Sequence, residues 1–390
     1  MKSTLPRRGF TLLELMISIA IMIFGIVMAG AAFALQNKAL QAMDLTRIAN
    51  SSSRDATMSI ENALREAGWG VDPRYAIDLF STSNKSVDRT SAPDDVSFIA
   101  RDPMYRWIAR GDPGCASTVG GCYLAGNAWE VTAMTAGPPV TLAITLRTNE
   151  KIEKGRLLLA VCDGAQNPVI LTSSNNYGPG PGAVTVSSDT TAAFPYNNMT
   201  AIRACHNGGG AGLFLLNRYH YFIRSYAGVP WLMLDPGIDL DGDGTLYPTD
   251  LDDLIPIAKD VEDLQVAYML TGTGVGPDNS GAGNWIIGDD LGVAELPVPP
   301  GSASSLPDYS TAVGDPSRLT TASANVRAIR VSLMLRSPRT DPNQAPGWAG
   351  DTLDYPENRT GSAAGGGRRR YSVVSEISLR NLESSRSFTF

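Results

Sequence analysis

The hydrophobic pattern of the chain is dominated by one apolar run close to its start. Residues 10–35 form 26 consecutive positions with a single ionisable side chain, Glu14. As a helix rising about 1.5 Å per residue, this run would cross a bilayer core of about 30 Å. The basic residues before it, Lys2, Arg7 and Arg8, predict that its start stays in the cytoplasm and that the remaining chain lies outside.

The pattern then changes to a helical period with polar residues between the apolar ones, which predicts an amphipathic continuation over residues 36–70. Its apolar positions are Leu40, Met43, Ile48, Met58, Leu64 and Ala67. Gly68, Gly70 and Pro73 are typical of a helix end. An amphipathic helix needs a surface to pack on, and residues 71–390 are expected to provide it as a β-rich globular head.

Alternating and short apolar runs in the head predict β-strands. They cover residues 96–100, 140–146, 156–161, 219–226, 230–234, 326–335 and 371–380. Ala227 and Gly228 are expected to form the tight turn of a hairpin. Two segments rich in Gly, Pro and small polar residues, about 172–210 and 271–325, are predicted to be long loops. The predicted fold class is therefore α+β, a long N-terminal helix packed on an antiparallel sheet.

Composition narrows the functional classes. The formal net charge of −7 argues against nucleic-acid binding, which usually needs a basic face. Two His, His206 and His220, leave few options for a catalytic base, and the chain has no nucleophile elbow, P-loop or HExxH motif. We therefore expect no catalytic residues, and a membrane-anchored calcium-dependent hydrolase is a distant alternative.

The four cysteines, Cys115, Cys122, Cys162 and Cys205, allow three disulfide pairings, between which the sequence does not choose. The sequential pairing, 115–122 and 162–205, is the favoured hypothesis. The compartment beyond the membrane is oxidising, so disulfides are expected there. A metal site of Cys205 and His206 is the alternative, and the absence of CxxC spacing argues against it.

Residues 239–250 predict a calcium loop. Asp239, Asp241 and Asp243 alternate and are followed by Gly244 and Thr245, as in the first half of an EF-hand loop. Asp250 stands at the position of the final Glu of an EF-hand loop. Asp252 or Asp253 could serve as this last ligand instead. Residues 235–263 carry ten acidic side chains and one basic one, a density that favours a cation. The alternative is a solvated acidic turn.

Glu14 is unusual because a carboxylate is costly inside an apolar membrane helix. The simple explanation for Glu14 is that its side chain snorkels to the membrane surface. For the whole apolar segment, the simple alternatives are an ordinary signal peptide or a plain membrane anchor. A cut between Gly9 and Phe10 would supply a better partner, a new α-amine that Glu14 of a neighbouring helix could pair with in a bundle.

Residues 8–15 resemble the class III signal of type IV pilins and of the pseudopilins of type II secretion systems. The resemblance implies a leader, residues 1–9, that prepilin peptidase removes after Gly9, N-methylation of Phe10, and a role for Glu14 in subunit assembly. Residues 10–35 would then form the transmembrane and filament-core helix.

Three later segments resemble PilW-type minor pilins: residues 259–268, 325–333 and 368–381. The first departs from the family pattern at Asp260, where the family often has Gly. The implied function is a minor pilin that primes pilus assembly at or near the tip. Other major and minor pilins, prepilin peptidase, the inner-membrane assembly platform and a tip adhesin would be its partners. A type II secretion pseudopilin and a tip adhesin are the alternatives.

Overall fold

The computed structural model describes residues 11–81, 83–102, 107–108, 122–123, 129–135, 139–146, 149–162, 169–189, 211–272, 283–289, 291–297, 323–341 and 348–383. One long helix and antiparallel sheets account for most of them. The predicted α+β class is confirmed.

Helix α1 (Leu12–Glu66) runs for 55 residues without a break. Thr11 caps its first turn, and Ala67 caps its last. Gly68 then turns the chain with φ +74°, and its N–H donates to the Ile99 carbonyl at 2.9 Å. A side chain at Gly68 would meet Leu382 at 2.6 Å, so glycine both reverses the chain and admits this close contact.

The head is built mainly from strands, with a short C-terminal helix α2 (Arg380–Glu383). The strands are β1 (Val96–Arg101), β2 (Trp107–Ile108), β3 (Cys122–Tyr123), β4 (Trp129–Glu130), β5 (Ala133–Thr135), β6 (Val140–Leu146), β7 (Leu157–Cys162), β8 (Val169–Ser173), β9 (Gly182–Asp189), β10 (Ala211–Tyr226), β11 (Val229–Asp235), β12 (Ile255–Lys259), β13 (Val261–Gly272), β14 (Gly283–Ile287), β15 (Val326–Arg336), β16 (Leu353–Asp354), β17 (Ser362–Ala363) and β18 (Arg370–Ser378).

The larger sheet has the order β12-β11-β10-β7-β8-β9-β6-β5, with β1 and β4 also paired to β10. Strand β10 is long enough to hold β1, β4, β7 and β11 along its length. It turns into β11 through Ala227 (φ +50°) and Gly228 (φ +75°), the backbone sign expected of a two-residue hairpin turn. The predicted hairpin is confirmed.

The smaller sheet has the order β14-β13-β15-β18 and packs against the C-terminal half of α1. The main core joins the helix to both sheets. From the helix it takes Ile60 and Leu64, which lie beside Leu264 and Leu333 of the smaller sheet and beside Phe98 of β1. The head therefore closes over the amphipathic half of the helix.

The two predicted long loops are wrong in part. Residues 182–189 form β9, which pairs with β6 from Leu146↔Gly182 to Val140↔Ser188. Strand β9 lies between β8 and β6 in the sheet, and its composition is misleading because Val186 is the one buried side chain among residues 182–187, where burial is described. Residues 283–287 form β14, which pairs with β13. Most other residues of the 271–325 segment lie outside the described residues.

The buried face of the amphipathic half also differs from the predicted one. Met43, Ile48 and Met58 are exposed. Leu64 and Ala67 are buried as predicted, and the rest of the buried stripe is built from Leu45, Ala49, Ala56, Ile60 and Ala63. Alanine has a small side chain, so it lets the sheet approach the helix closely. A prediction based on large apolar residues overlooks such positions.

Candidate assembly helix and acidic loop

Within the part of the chain that the structure describes, the N-terminal half of α1 packs against no other element. Every residue from 11 to 41 is exposed, including large apolar side chains such as Ile21, Phe24 and Phe33. No atom of the described residues outside the helix's own backbone and immediate neighbours comes within 4 Å of a Cβ placed on Gly25 or Gly30. The helix is long and apolar enough to serve as a membrane anchor or a signal. An apolar surface of this extent needs lipid or other helices to cover it.

Glu14 has a local role at the start of this half. Its backbone N–H donates to Thr11 Oγ1 at 3.3 Å, and its Oε2 accepts from the Thr11 N–H at 3.4 Å. This is a capping box, in which two unsatisfied N–H groups of a helix start are bonded reciprocally. Glu14 is exposed, so its carboxylate remains accessible to another chain. Gly9 and Phe10, the predicted processing residues, lie outside the described residues.

The three segments that resemble minor pilins come together in space. Residues 259–268 fall largely in β13, 325–333 in β15, and 368–381 around β18. These strands are adjacent in the smaller sheet, with Val266 opposite Val331 and Leu333 opposite Val373. The same sheet packs on α1. Segments up to about 100 residues apart in sequence therefore form one surface around the helix.

Asp260, where the resemblance departs from its pattern, links the two sheets. It lies between β12 and β13 with φ +61°, a left-handed conformation that Gly adopts most readily and that Asp tolerates. Its Oδ1 accepts from Arg336 Nε at 3.2 Å, and its backbone carbonyl accepts from the Arg336 N–H at 2.9 Å. The backbone explains why either residue fits this position.

The acidic loop connects β11 to β12, between Asp235 and Ile255. Gly242 (φ +87°) and Gly244 (φ +86°) let the chain curl so that backbone N–H groups turn inward. Asp239 accepts from the Gly242 N–H at 2.6 Å and from the Gly244 N–H at 2.7 Å. The alternating Asp-x-Asp-x-Asp-Gly spacing thus winds the loop around the first aspartate.

The loop carboxylates form two overlapping groups. We define the inner triad as Asp239, Asp241 and Asp253, and the outer triad as Asp241, Asp243 and Asp250. Within each triad, one carboxylate oxygen per residue lies within 4.8 Å of the others. Asp239 and Asp253 are buried, whereas Asp241 and Asp243 are exposed. The structure thus places the predicted ligands close together but divides them, with Asp253 rather than Asp250 beside Asp239.

Thr245, also predicted as a ligand, lies on the outer triad. Its hydroxyl donates to Asp243 Oδ1 at 2.7 Å and to Asp250 Oδ2 at 3.1 Å.

Two residues that the sequence did not indicate hold the loop from the opposite side. Asn176 Nδ2 donates to Asp239 Oδ2 at 2.6 Å, and Lys154 Nζ donates to the Gly244 carbonyl at 2.6 Å. Gly155 is also required, because a Cβ there would lie 2.2 Å from the Gly237 carbonyl oxygen. These residues are at least 60 positions from Asp239, and their local sequence carries no metal-ligand spacing that could have signalled them.

The electrostatics of the inner triad are uneven. Burial acts to raise the pKa of Asp239, but hydrogen bonds from Asn176, Gly242 and Gly244 outweigh it and hold the pKa below its usual value. Asp253 is different. Burial raises its pKa, and the neighbouring carboxylates of Asp250, Asp239 and Asp241 add to the rise despite a hydrogen bond from Leu240. In the inner triad, the charged form of Asp239 is therefore favoured, whereas the charged form of Asp253 is disfavoured.

His220 is a structural residue of the head. It is buried on β10 between two carboxylates, with Nδ1 3.5 Å from Asp235 Oδ2 and Nε2 3.8 Å from Asp95 Oδ2. Burial acts to lower its pKa, but Asp235 and Asp95 outweigh burial and raise it. His220 thus lies between Asp235, the last residue of β11, and Asp95, which directly precedes β1.

The disulfide prediction lies outside what the structure describes. Cys115 and Cys205 are not among the described residues, and only the backbone is described for Cys122 in β3 and Cys162 in β7. His206, the alternative metal ligand, is likewise outside them.

Comparisons with known proteins identify no relative. No protein-family model, no curated protein and no solved structure matches this chain.

Proposed function

We propose that the protein is a minor pilin of a type IV pilus, incorporated at or near the tip, where it helps to prime assembly. The observation that carries this proposal is the exposed apolar half of α1, residues 11–41, with one carboxylate in its first turn and a folded head at its other end. A soluble protein would have no use for such a surface, whereas a subunit that passes from membrane to helical bundle needs it in both places.

The smaller sheet supports the same proposal. The three segments that resemble minor pilins form the adjacent strands β13, β15 and β18, of which β15 and β18 pack against the helix. Asp260, the one noted departure, lies at a positive φ that accommodates both Asp and Gly. Unrelated chance matches would not be expected to converge on one surface.

In the proposed life cycle, prepilin peptidase cuts after Gly9, and Phe10 becomes the N-methylated first residue. The chain resides in the inner membrane with its head in the periplasm. It then moves into the extracellular pilus through contacts with other major and minor pilins and the assembly platform. Glu14 would form a charge pair with the α-amine of a neighbouring subunit, which fixes the register of packing.

Deletion of the gene in the parent organism, followed by complementation, tests the function. We expect loss of surface filaments and of twitching motility, with secretion of exoproteins unchanged. Filaments and twitching at parental levels together with failed exoprotein secretion would contradict the pilus assignment and favour a type II secretion pseudopilin. Normal filament number with lost surface attachment would favour a tip adhesin instead.

A further inference from the structure

We propose that the inner triad, Asp239, Asp241 and Asp253, binds one calcium ion that locks the acidic loop onto the head. This site is independent of the proposed pilus function. It also differs from the arrangement that an EF-hand template gives, in which the residue at the position of Asp250 completes the ligand set.

The first argument is distance. One carboxylate oxygen from each of the three residues lies within 4.8 Å of the other two. Calcium binds oxygens at about 2.3–2.6 Å, so two ligands on opposite sides of one ion are separated by about 4.6–5.2 Å. Three oxygens within 4.8 Å of one another therefore fit around a single ion without rearrangement of the backbone.

The second argument is an unsatisfied buried oxygen. Asp253 is 1% exposed, and its Oδ1 accepts from the Leu240 N–H at 2.6 Å. Its Oδ2 is buried and has no hydrogen-bond partner among the described residues. A buried carboxylate oxygen without a partner is costly, and a cation beside it removes that cost. An ordinary solvated turn has no reason to bury such a group.

The third argument is charge. Asp239, Asp241, Asp243, Asp250 and Asp253 converge on a short loop. The nearby ammonium of Lys154 is bonded to the Gly244 carbonyl on the anchoring side of the loop. One positive charge leaves the carboxylates mostly unbalanced. A doubly charged ion with several oxygen ligands is the chemical class that balances them.

The inner triad is favoured over the outer one by its surroundings. Asp241 belongs to both triads, but the other two members of the outer triad, Asp243 and Asp250, are exposed and half-buried, respectively. In the inner triad, Asp239 is 2% exposed and is held in place by Asn176 and two glycine N–H groups. Fixed, partly dehydrated ligands give a cation site its affinity.

An ion at this position would act as a clamp. Asp239 follows β11 and Asp253 precedes β12, so one ion would hold together the two ends of the loop that joins these strands. Asp239 also connects through Asn176 to the segment that precedes β9, and its N–H donates to the Lys154 carbonyl at 3.0 Å. Calcium would therefore stabilise the folded head.

Calorimetric titration of the full-length protein, purified in detergent micelles and stripped with chelator, tests the site. We expect one saturable heat with CaCl₂, a weaker response with MgCl₂, and a calcium-dependent rise in Tm. Extracellular sites of this type have dissociation constants of about 10⁻⁴–10⁻³ M, which sets the concentration range. The titration extends to 10 mM CaCl₂, about tenfold above that range. A folded protein that gives neither binding heat nor a rise in Tm up to this concentration would overturn the proposal. Binding of Mg²⁺ as tight as that of Ca²⁺ would overturn the choice of calcium.

Matched variants locate the ion. D253N should lose calcium binding at least tenfold, and its chelated form should melt no lower than the chelated wild type, because the substitution removes an unpaired buried charge. D252N, at the adjacent exposed position, should bind within twofold of wild type, and D250N within fivefold. If D250N is as damaging as D253N, the inner triad is the wrong site. D241N alters an exposed ligand, so it tests binding even if D253N does not fold.

Discussion

The two halves of helix α1 share one unbroken backbone but have opposite surroundings. Residues 11–41 are exposed throughout and largely apolar, and the capping box and the bond from Ser18 Oγ to the Glu14 carbonyl are contacts within the helix itself. From Leu45 onward a stripe of the helix is buried against both sheets. Under the proposed function, the first half depends on partners outside the chain, whereas the second half is covered by the chain's own head.

The largest expected effect follows from Glu14, the one acid of the partner-dependent half. Glu14→Ala should reduce the number of filaments, or the amount of this subunit in them, at least tenfold, because the amine of the neighbouring subunit loses its counter-charge. The measurement is quantitative immunoblotting of sheared filaments. Asp55→Ala, an exposed acid in the head-bound half of the same helix, should leave incorporation unchanged.

Two further variants separate charge from capping. Glu14→Gln keeps a side chain that completes a capping box but removes the charge, whereas Thr11→Ala breaks the box and keeps the charge. We expect Gln to be as defective as Ala and Thr11→Ala to retain most incorporation. Full activity of Glu14→Gln would mean that Glu14 acts as a helix cap alone.

The second effect concerns the head-bound half. Leu64 is fully buried where the helix meets both sheets, so Leu64→Ala should lower the free energy of unfolding by about 2–5 kcal/mol. Leu35→Ala is the matched control, since Leu35 is 69% exposed. It should change the free energy of unfolding of the head by less than about 0.5 kcal/mol. Urea unfolding in detergent, followed by near-UV circular dichroism, measures both. Equal effects of the two variants would contradict the division of the helix.

The third effect is a pH dependence confined to the head. Burial raises the pKa of Asp94 to about 8, and Asp88 and Asp263 add to the rise against the hydrogen bonds from the Arg89 and Val266 N–H groups. The folded state therefore holds a proton that the unfolded chain releases near pH 4, so stability should fall as pH rises from about 4 to about 8. Each pKa unit is worth about 1.4 kcal/mol.

Asp94→Asn checks this pH dependence. The variant should unfold with a shallower loss of Tm between pH 5 and 8. Some slope should remain, because Asp88, Asp263 and His220 also have raised pKa values. A slope identical to that of the wild type would exclude Asp94 as a source of the dependence.

The smallest effect is a single hydrogen bond between helix and head. The hydroxyl oxygens of Ser59 and Tyr221 are 3.1 Å apart. Ser59→Ala should therefore lower the free energy of unfolding of the head by about 1 kcal/mol. Ser18→Ala removes a bond of similar type, Ser18 Oγ to the Glu14 carbonyl, within the exposed half. Thermal unfolding of the head should detect the first change and not the second.

Sequence reasoning predicted the elements better than their arrangement. The alternation in residues 140–146 and 326–335 was sufficient to predict strands, because apolar residues at every second position form a face that is buried in both segments. Strand β9 was missed because its two valines, Val184 and Val186, lie in a segment rich in Gly, Ser, Asn and Thr. The division into two sheets depends on pairings such as β10 with β1 and β7, which no local pattern encodes.

The acidic loop shows the same limit at the level of a site. Its Asp-x-Asp-x-Asp-Gly spacing predicted a cluster, since alternate residues of a curled loop share one side. Sequence distance favoured Asp250 as the closing ligand, whereas the fold brings buried Asp253 to Asp239. Lys154 precedes β7 and Asn176 follows β8, so both lie far from the loop in sequence. Only the tertiary structure shows that they bind the loop.

The most direct test of the proposed pilin identity is intact-mass and N-terminal analysis of the protein recovered from sheared filaments. We expect a chain that begins at Phe10 with a methylated α-amine. A chain that retains Met1, or one from which the apolar run has been removed as in a secreted protein, would contradict the proposed identity.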